Sequence, residues 1–465
     1  MKNFKNMSEI VKAENQKKKN LRIYIAALLA VQMLMLPMSG CTVASGTSSA
    51  AGTSNGSSAV VTLRSDDEAT VSTAQKTSGN GLSADELFTE RDLAQNPDLS
   101  EAKELTLQSG KGITISKAGV YRITGTAEGC TVIVDAGDED KVQIVLDGVT
   151  VTNSDAPCIY VKNADKVFVT LTGDNSLSVT GKFTADGDTN TDGVIFSKDD
   201  ITLNGTGSLT ISSTDNGIVG KDDLKITGGT YQITAASKAI EANDSIRISD
   251  GTFTIKAGTD GLHAENEDDD TLGYIYIGGG SFSMNVGDDG IHGTSVVQID
   301  GGQFTINAAE CIEGTYIRIN DGTFDLSSSD DGINAAKKSD SYTPTVEING
   351  GTINITMSAG DTDGIDSNGN IIISGGTISV NAASAFDYDG SASFTGGTVY
   401  INGQQVTTLP SQMMGGGMGG RGSFAGRMEG QNGFAGRPEG QDDFTGNPDG
   451  GRHVRTRPAR PGRFW

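Results

Sequence analysis

The residues able to do chemistry in this chain are concentrated in one recurring turn, Asp-Gly-Ile followed by a further polar residue. Aligned copy on copy it reads Asn216-Gly217-Ile218-Val219, Lys238-Ala239-Ile240-Glu241, Asp260-Gly261-Leu262-His263 and Asp289-Gly290-Ile291-His292. It continues Glu310-Cys311-Ile312-Glu313, Asp331-Gly332-Ile333-Asn334, Asp363-Gly364-Ile365-Asp366 and Ser384-Ala385-Phe386-Asp387. If the apolar residue points inward, the residue before Gly and the residue after the apolar position form two adjacent columns of metal-capable side chains. Asp288, Asp330, Asp361 and Asp389 add further carboxylates. Flexible, partly exposed carboxylates suit calcium, a hard ion taking about six to eight oxygens. Asp260, Asp289, Glu310, Glu313, Asp331, Asp363, Asp366 and Asp387 are therefore the candidate calcium ligands. Glu241, His263, His292, Asn334 and Tyr388 are the candidate ligand-binding residues beside them.

Turn chemistry accounts for part of this pattern. Asp-Gly and Asn-Gly pairs are ordinary turn residues, chosen for positive φ and for side-chain bonds to the backbone. No turn requires acid after the apolar position, where Glu241, Glu313, Asp366 and Asp387 stand. His263 and His292 fall on adjacent copies, where they can share a transition metal or be plain polar residues on a sheet; both readings stay open.

The turn belongs to a longer unit, apolar-x-Ile-x-Gly-Gly-Thr-Phe-x-Ile, repeated at least eight times between Leu203 and Gly403, roughly every 22 residues. A unit this short holds three strands of about five residues and cannot bury its own apolar face, so it must stack on its neighbours. The second residue after the Gly-Gly position reads Leu209, Tyr231, Phe253, Phe282, Phe304, Phe324, Ile353, Ile378, Val399. Two positions on it reads Ile211, Ile233, Ile255, Met284, Ile306, Leu326, Ile355, Val380, Ile401. Because strand side chains alternate, these are two inward columns, with rungs about 4.8 Å apart. The pattern predicts an all-β parallel β-helix with three strands per coil. Stacked carboxylates oppose it: at about 4.8 Å and an effective dielectric near 20, each like-charge pair costs roughly 3–4 kcal/mol, and about 1 if fully solvated. Bound cations would relieve that repulsion.

Net charge is −24, and it is uneven. Residues 1–40 carry +5 and residues 411–465 carry +3, so residues 41–410 hold −32. Such a field repels nucleic acid and anionic lipid and attracts cations. At the N-terminus, Lys17, Lys18, Lys19 and Arg22 precede an apolar run from Ile23 to Leu36. That is shorter than the ~20 residues of a comfortable membrane span and reads as an export signal. Pro37-Met38-Ser39-Gly40-Cys41 resembles a bacterial lipoprotein signal, with Met38 where Leu is usual. It implies lipidation at Cys41 and an anchor on the extracellular face of the membrane; an ordinary cleaved signal peptide is the alternative. Cys130, Cys158 and Cys311 are too few and too scattered for a disulfide framework or a zinc site, and Cys311 occupies a column of small residues.

Residues 42–82, rich in Ser, Thr and Gly, read as a flexible linker. Ser83 to Glu104 reads as an N-terminal cap over the exposed end of the stack, with a short helix opened by a capping box of Ser83 and Glu86. The stacked domain spans 105–403, opening with less regular strands at Val120–Thr124, Thr131–Asp135, Val142–Leu146, Cys158–Val161 and Val167–Leu171. Residues 404–465 hold a ten-residue Gly/Arg/Phe periodicity and read as a disordered tail.

Gly119-Val120-Tyr121-Arg122-Ile123-Thr124-Gly125, Val132-Ile133-Val134-Asp135-Ala136 and Val142-Gln143-Ile144-Val145-Leu146-Asp147-Gly148-Val149 resemble the opening of the bacterial carbohydrate-binding β-helix proteins. Pro157-Cys158-Ile159-Tyr160-Val161-Lys162-Asn163-Ala164 and the later Asp-Gly-Ile units continue the resemblance, over roughly Leu105 to Gly403. It implies a cell-surface, calcium-containing, right-handed parallel β-helix, similar to pectate lyases in fold. It also implies non-catalytic binding of cellulose and of acidic sugars such as polygalacturonate. An acidic face would hold a uronate polymer through calcium shared with the sugar carboxylate. The expected partner is thus a polysaccharide, bound by a monomer. Tyr274, Tyr276, Tyr388 and Tyr400 are candidate stacking platforms. The competing reading is a calcium-dependent polysaccharide lyase, which needs a base beside the metal. Lys225, Arg247 and Arg318, in the outward column of the first strand, are its candidates. A structural adhesin is the third reading.

Overall fold

The computed structural model describes residues 81–359 and 362–410. All of them lie in Arg64–Trp465, the second of two units into which the chain divides. The export segment, Cys41, the linker up to residue 80, Asp361 and the Gly/Arg-rich tail from residue 411 fall outside the described residues.

The described residues are all-β, with 34 strands in one long, mostly parallel sheet and two single-turn helices. Most strands pair in parallel with an equivalent strand one repeat later, which sorts them into three ladders. In the first, Ile201 pairs with Leu224, Leu224 with Ile246, Ile246 with Ile275, Ile275 with Val297 and Val297 with Ile317. In the second, Leu209 pairs with Tyr231, Tyr231 with Phe253, Phe253 with Phe282, Phe282 with Phe304 and Phe304 with Phe324. The third carries the Asp-Gly-Ile units. Two strands, Asp289–Ile299 and Glu310–Ile319, run from the third ladder into the first without a break.

Period-two alternation is read directly as burial. Along Thr252–Ala257 and Ser281–Val286 the residues alternate exposed and buried, with Phe253, Ile255, Phe282 and Met284 inside. The rings of Tyr231, Phe253, Phe282, Phe304 and Phe324 form one stack, with centroids 4.7–5.1 Å apart and planes within 9°. Each of the three inner rings therefore meets another ring above and below, and each of the four ring pairs adds about 0.5–1.5 kcal/mol to the hydrophobic gain. The second Gly of each Gly-Gly pair makes the corner before this ladder. At Gly280, φ is +108° and an added Cβ would sit 2.8 Å from the Gly251 carbonyl, so both conformation and space demand glycine.

The segment expected as a cap divides in two: its end, Lys103 and Glu104, opens the first strand of the stack, and its beginning lies elsewhere. Residues 82–95 lie as a strap across the outer face of the first ladder. Helices α1 (Ala84–Leu87) and α2 (Glu90–Leu93) are its rigid parts. Ser83 makes no side-chain cap; the capping box is Thr89 with Asp92, three residues apart as such a box requires. Leu82 exchanges two hydrogen bonds with the Gln298 side chain, at 2.7 and 2.8 Å. Leu87 and Phe88 pack on Tyr274 and Tyr276, and the Gln95 amide closes the far end on Gly205 and Thr227. Asp92, fully buried, meets Lys166 at 2.7 Å, Lys225 at 3.2 Å and the Thr202 hydroxyl at 2.9 Å. Burial alone would raise its carboxyl, but Lys166 and Lys225 hold it well below the usual carboxylate range.

Strand structure extends past both limits that periodicity sets, 105 and 403, running from Lys103–Thr106 to Gln404–Val406. The last strand turns back antiparallel to Thr398–Ile401, which gives the final rung a different neighbour from every other. Cys130, Cys158 and Cys311 are free thiols in the interior.

Two substitutions test this account. Phe282→Ala should lower the free energy of denaturant unfolding by about 3–5 kcal/mol, since the ring lies between two rigid neighbours that cannot close the gap. Asp92→Asn, which strands Lys166 and Lys225, should weaken strap docking by about 3–5 kcal/mol and appear as rapid proteolysis within residues 82–98; unchanged protease resistance would show that the ion pairs do not hold the strap.

Candidate functional site

The outward column of the third ladder is continuous. By strand register it runs Tyr160, Phe196, Val219, Glu241, His263, His292, Glu313, Asn334, Asp366, Asp387. The apolar residue just before each outward residue from Glu241 to Asp366 points inward, as Ile240, Leu262, Ile291, Ile312, Ile333 and Ile365 are fully buried. Beside the column lie the residues that precede Gly, with Asp289 paired to Glu310 and Asp363 to Ser384. Chain order alone thus places both columns.

Their middle is far more buried than partly exposed carboxylates would be. Asp260, His263, Asp289, His292, Glu310, Glu313 and Asn334 are each under a tenth exposed. Side chains stacked one rung apart shield one another, and Glu265 and Lys338 reach in from segments following the ladder, to His263 at 3.2 Å and Glu313 at 2.9 Å. Glu241, Asp331, Asp363, Asp366, Asp387 and Tyr388 are half-buried.

The structure brings together some of the expected ligands and not others. Among the described residues, Asp289, His292 and Glu313 alone converge three ligand atoms within 4.8 Å of one another. His292 Nδ1 lies 2.7 Å from Asp289 Oδ2 and 2.8 Å from Glu313 Oε2. Burial opposes charge on this imidazole, yet the two carboxylates push its pKa up to about 9. Glu313, held by Lys338 as well, falls to about 2 against its burial, whereas burial and the nearby Glu313 leave Asp289 raised to about 6. Burial, then Glu313, raises Glu310 to about 8, although Asn334 Nδ2 donates to it at 2.9 Å. The His263 ring stacks on His292 with centroids 4.5 Å apart. Its Nδ1 lies 2.9 Å from Asp260 Oδ2 but makes no hydrogen bond, so that contact is an ion-pair distance without the alignment of a bond.

Further along, Asp366 is surrounded by Asp331, Asp363 and Asp387, and burial followed by these three raises its carboxyl to about 7. Asp331 Oδ1 accepts from the Asp363 backbone N–H at 3.2 Å, which holds it beside that group. A groove of about 360 Å³ lies on the turns just before the column, lined by Asn307, Ala309, Ser327, Ser329, Met357 and Ser358 among others.

Several expected sites are corrected. Glu241 carries no spare charge for a ligand: Lys221 at 3.2 Å and Lys238 at 3.6 Å neutralise it, and they lower its carboxyl against burial. Lys225, Arg247 and Arg318 are not surface bases, since each is under a tenth exposed in the column that the strap covers. They are paired with Asp92, Asp223 and Glu347 respectively. Tyr274 and Tyr276 lie under the same strap and offer no stacking face. Periodicity gives no sign of the strap, because its contacts join residues far apart in the chain, Asp92 with Thr202 and Leu82 with Gln298 among them.

The architecture and the acidic column together invite comparison with known proteins. A family model described as carbohydrate-binding domain-containing protein matches residues 109–358 and 312–408. The chain belongs to this carbohydrate-binding domain family. Within the family, a carbohydrate-binding domain-containing protein of Acetivibrio thermocellus is 39% identical over 132 residues, 27% of this chain. Since that match covers 46% of the relative, the chain spans about half the length of the curated relative it matches. A solved structure, described as the polysaccharide lyase-like protein from C. thermocellum in a gadolinium derivative, aligns at 30% identity and a TM-score of 0.42. That alignment covers 46% of this chain and 92% of the other.

The raised carboxyls in this carbohydrate-binding domain define a pH dependence. For Asp366 and Glu310 the associated stability is fully present below the ordinary carboxyl pKa of about 4. It is lost as pH rises through about 7 and about 8. Glu241 and Glu313, whose values are lowered, act below that window. In chelator the melting temperature should therefore fall as pH rises from 5 to 8, and Asp366→Asn should flatten the fall; a melting temperature rising over that range would contradict the crowding.

Proposed function

We propose that this protein is a non-catalytic, cell-surface binder of acidic polysaccharide such as polygalacturonate, and that it uses calcium held on the half-buried stretch of the column, Asp331, Asp363, Asp366 and Asp387. The observation carrying this reading is the crowding at Asp366, whose raised carboxyl reflects burial and three neighbouring carboxylates. Carboxylates at this spacing repel, and a hard divalent cation is the chemistry that relieves them. Partial exposure leaves coordination positions for water and for a uronate carboxylate, so the cation joins two anions that would otherwise repel. The adjoining groove, with its Ser and Asn side chains, offers hydrogen-bond partners for sugar hydroxyls. Membership of a carbohydrate-binding domain family points the same way.

The pairing of most strands with an equivalent one repeat later supports a parallel β-helix with three strands per coil, and the general preference of parallel crossovers favours the right hand; a linear polymer can lie along it. Burial and ion pairing of Lys225, Arg247 and Arg318 favour binding over lyase chemistry, since none of the three can approach a substrate while the strap is docked. On this reading the protein works outside the cell as a monomer, tethered through lipid at Cys41.

Calorimetric titration with polygalacturonate tests it. Binding should require calcium, disappear in chelator, and weaken at least tenfold in Asp366→Asn/Asp387→Asn. Affinity unchanged by chelator would overturn the bridging role, and release of ultraviolet-absorbing unsaturated uronides would establish a lyase instead.

A further inference from the structure

We propose that Asp289, His292 and Glu313 form a separate binding site for a zinc-class divalent transition metal, different in ion preference from the all-carboxylate stretch beyond it.

The trio is built on two paired strands that run from the third ladder into the first. Asp289 and His292 stand three residues apart on the strand Asp289–Ile299, and Glu313 pairs with His292 from the neighbouring strand Glu310–Ile319. All three are under a tenth exposed. Two carboxylate oxygens approach one imidazole nitrogen, at 2.7 and 2.8 Å. A single Nδ1 proton can align with only one of them, whereas a metal ion in its place bonds the nitrogen and both oxygens at once. Tetrahedral zinc, with bonds of about 2.0–2.2 Å, sets neighbouring ligand atoms about 3.3 Å apart. The trio needs to open by only about half an ångström, which small side-chain rotations supply.

One independent observation flanks the trio. Asn334, one rung beyond Glu313 in the same outward column, has a buried Oδ1 with no hydrogen-bond partner. His263, one rung before His292 in that column, is already engaged, its Nδ1 2.9 Å from Asp260 Oδ2. An acceptor oxygen left unbonded at this burial is costly, and it is a group that a cation satisfies. An outer contact holds the strand that carries two of the ligands: the Asp289 backbone N–H donates to Asp260 Oδ1 at 3.1 Å. Lys338 Nζ, 2.9 Å from Glu313 Oε2, is the cation that faces the trio from outside, and its side chain is one-third exposed, so it can swing into solvent when the metal enters.

The donor set decides the ion class. One imidazole nitrogen with two buried carboxylates is a zinc-type set, completed by a fourth ligand. Calcium needs about six to eight oxygens, most of which would be waters for which this burial leaves little room.

The test uses the full chain, freed of metal by chelator. Cobalt(II) should bind one per chain and give the intense visible absorption of a tetrahedral site without the near-ultraviolet thiolate band that Cys130, Cys158 or Cys311 would add. Zinc should displace it, and a tenfold excess of calcium should not. His292→Ala should weaken zinc at least 100-fold in calorimetry, with Glu313→Gln as a second variant and the melting curve confirming that each folds. Asp366→Asn should leave zinc affinity unchanged, which separates this site from the calcium stretch and keeps its outcome independent of polysaccharide binding. Zinc binding no tighter than calcium, an octahedral or thiolate cobalt spectrum, or an affinity indifferent to His292 would each overturn the proposal.

Discussion

In a parallel stack every residue has its equivalents one rung, about 4.8 Å, above and below, so whatever a column does once it does at every level. For Phe253, Phe282, Phe304 and Phe324 that constraint is favourable, because rings at this distance are in contact and share one apolar interior. For Asp331, Asp363 and Asp366 the same geometry is adverse. The repeat that makes the core therefore also creates the electrostatic problem on its outer face, and the two cannot be tuned separately.

The protein meets that problem in three ways along one column. At Glu241 it supplies lysines, so the acid is neutral in effect. At Asp289, His292 and Glu313 it supplies an imidazole on which two carboxylates converge. At Asp366 the neighbouring groups that shift the carboxyl most are themselves carboxylates. The first ladder shows the opposite case, a run of cations at Lys166, Lys225 and Arg247, which the strap meets with the buried carboxylate of Asp92 and the sheet with Asp223. One outer face is thus occupied by the chain's own segment, while the other holds the grouped acids.

Columns are legible in the sequence because they depend on period alone. Matching Gly-Gly to Gly-Gly puts Phe253 beside Phe282 and His263 beside His292, and the register follows those pairs. Burial of the acidic column is not legible, since it arises from mutual shielding and from Lys338 and Glu265, which lie outside the repeating unit. The strap is invisible for a related reason. Residues 82–95 look like any short helical lead-in, and nothing local says that Asp92 will meet Lys225 rather than solvent. Lys225, Arg247 and Arg318 consequently read as exposed when they are interior. The Thr89 capping box is present in the sequence as a Thr-x-x-Asp spacing, but Ser83 with Glu86 offers the same kind of pattern six residues earlier.

The antiparallel strand Gln404–Val406 has a consequence beyond tidiness at one terminus. A parallel stack of matching rungs is an open template: its last edge presents the same hydrogen-bonding pattern that recruited the previous strand, and a second molecule could continue it into a fibre. Reversing the chain's direction on the final rung of the second ladder changes what that edge offers, so an incoming copy in the parallel orientation does not meet the strand direction that joins the rungs within the chain.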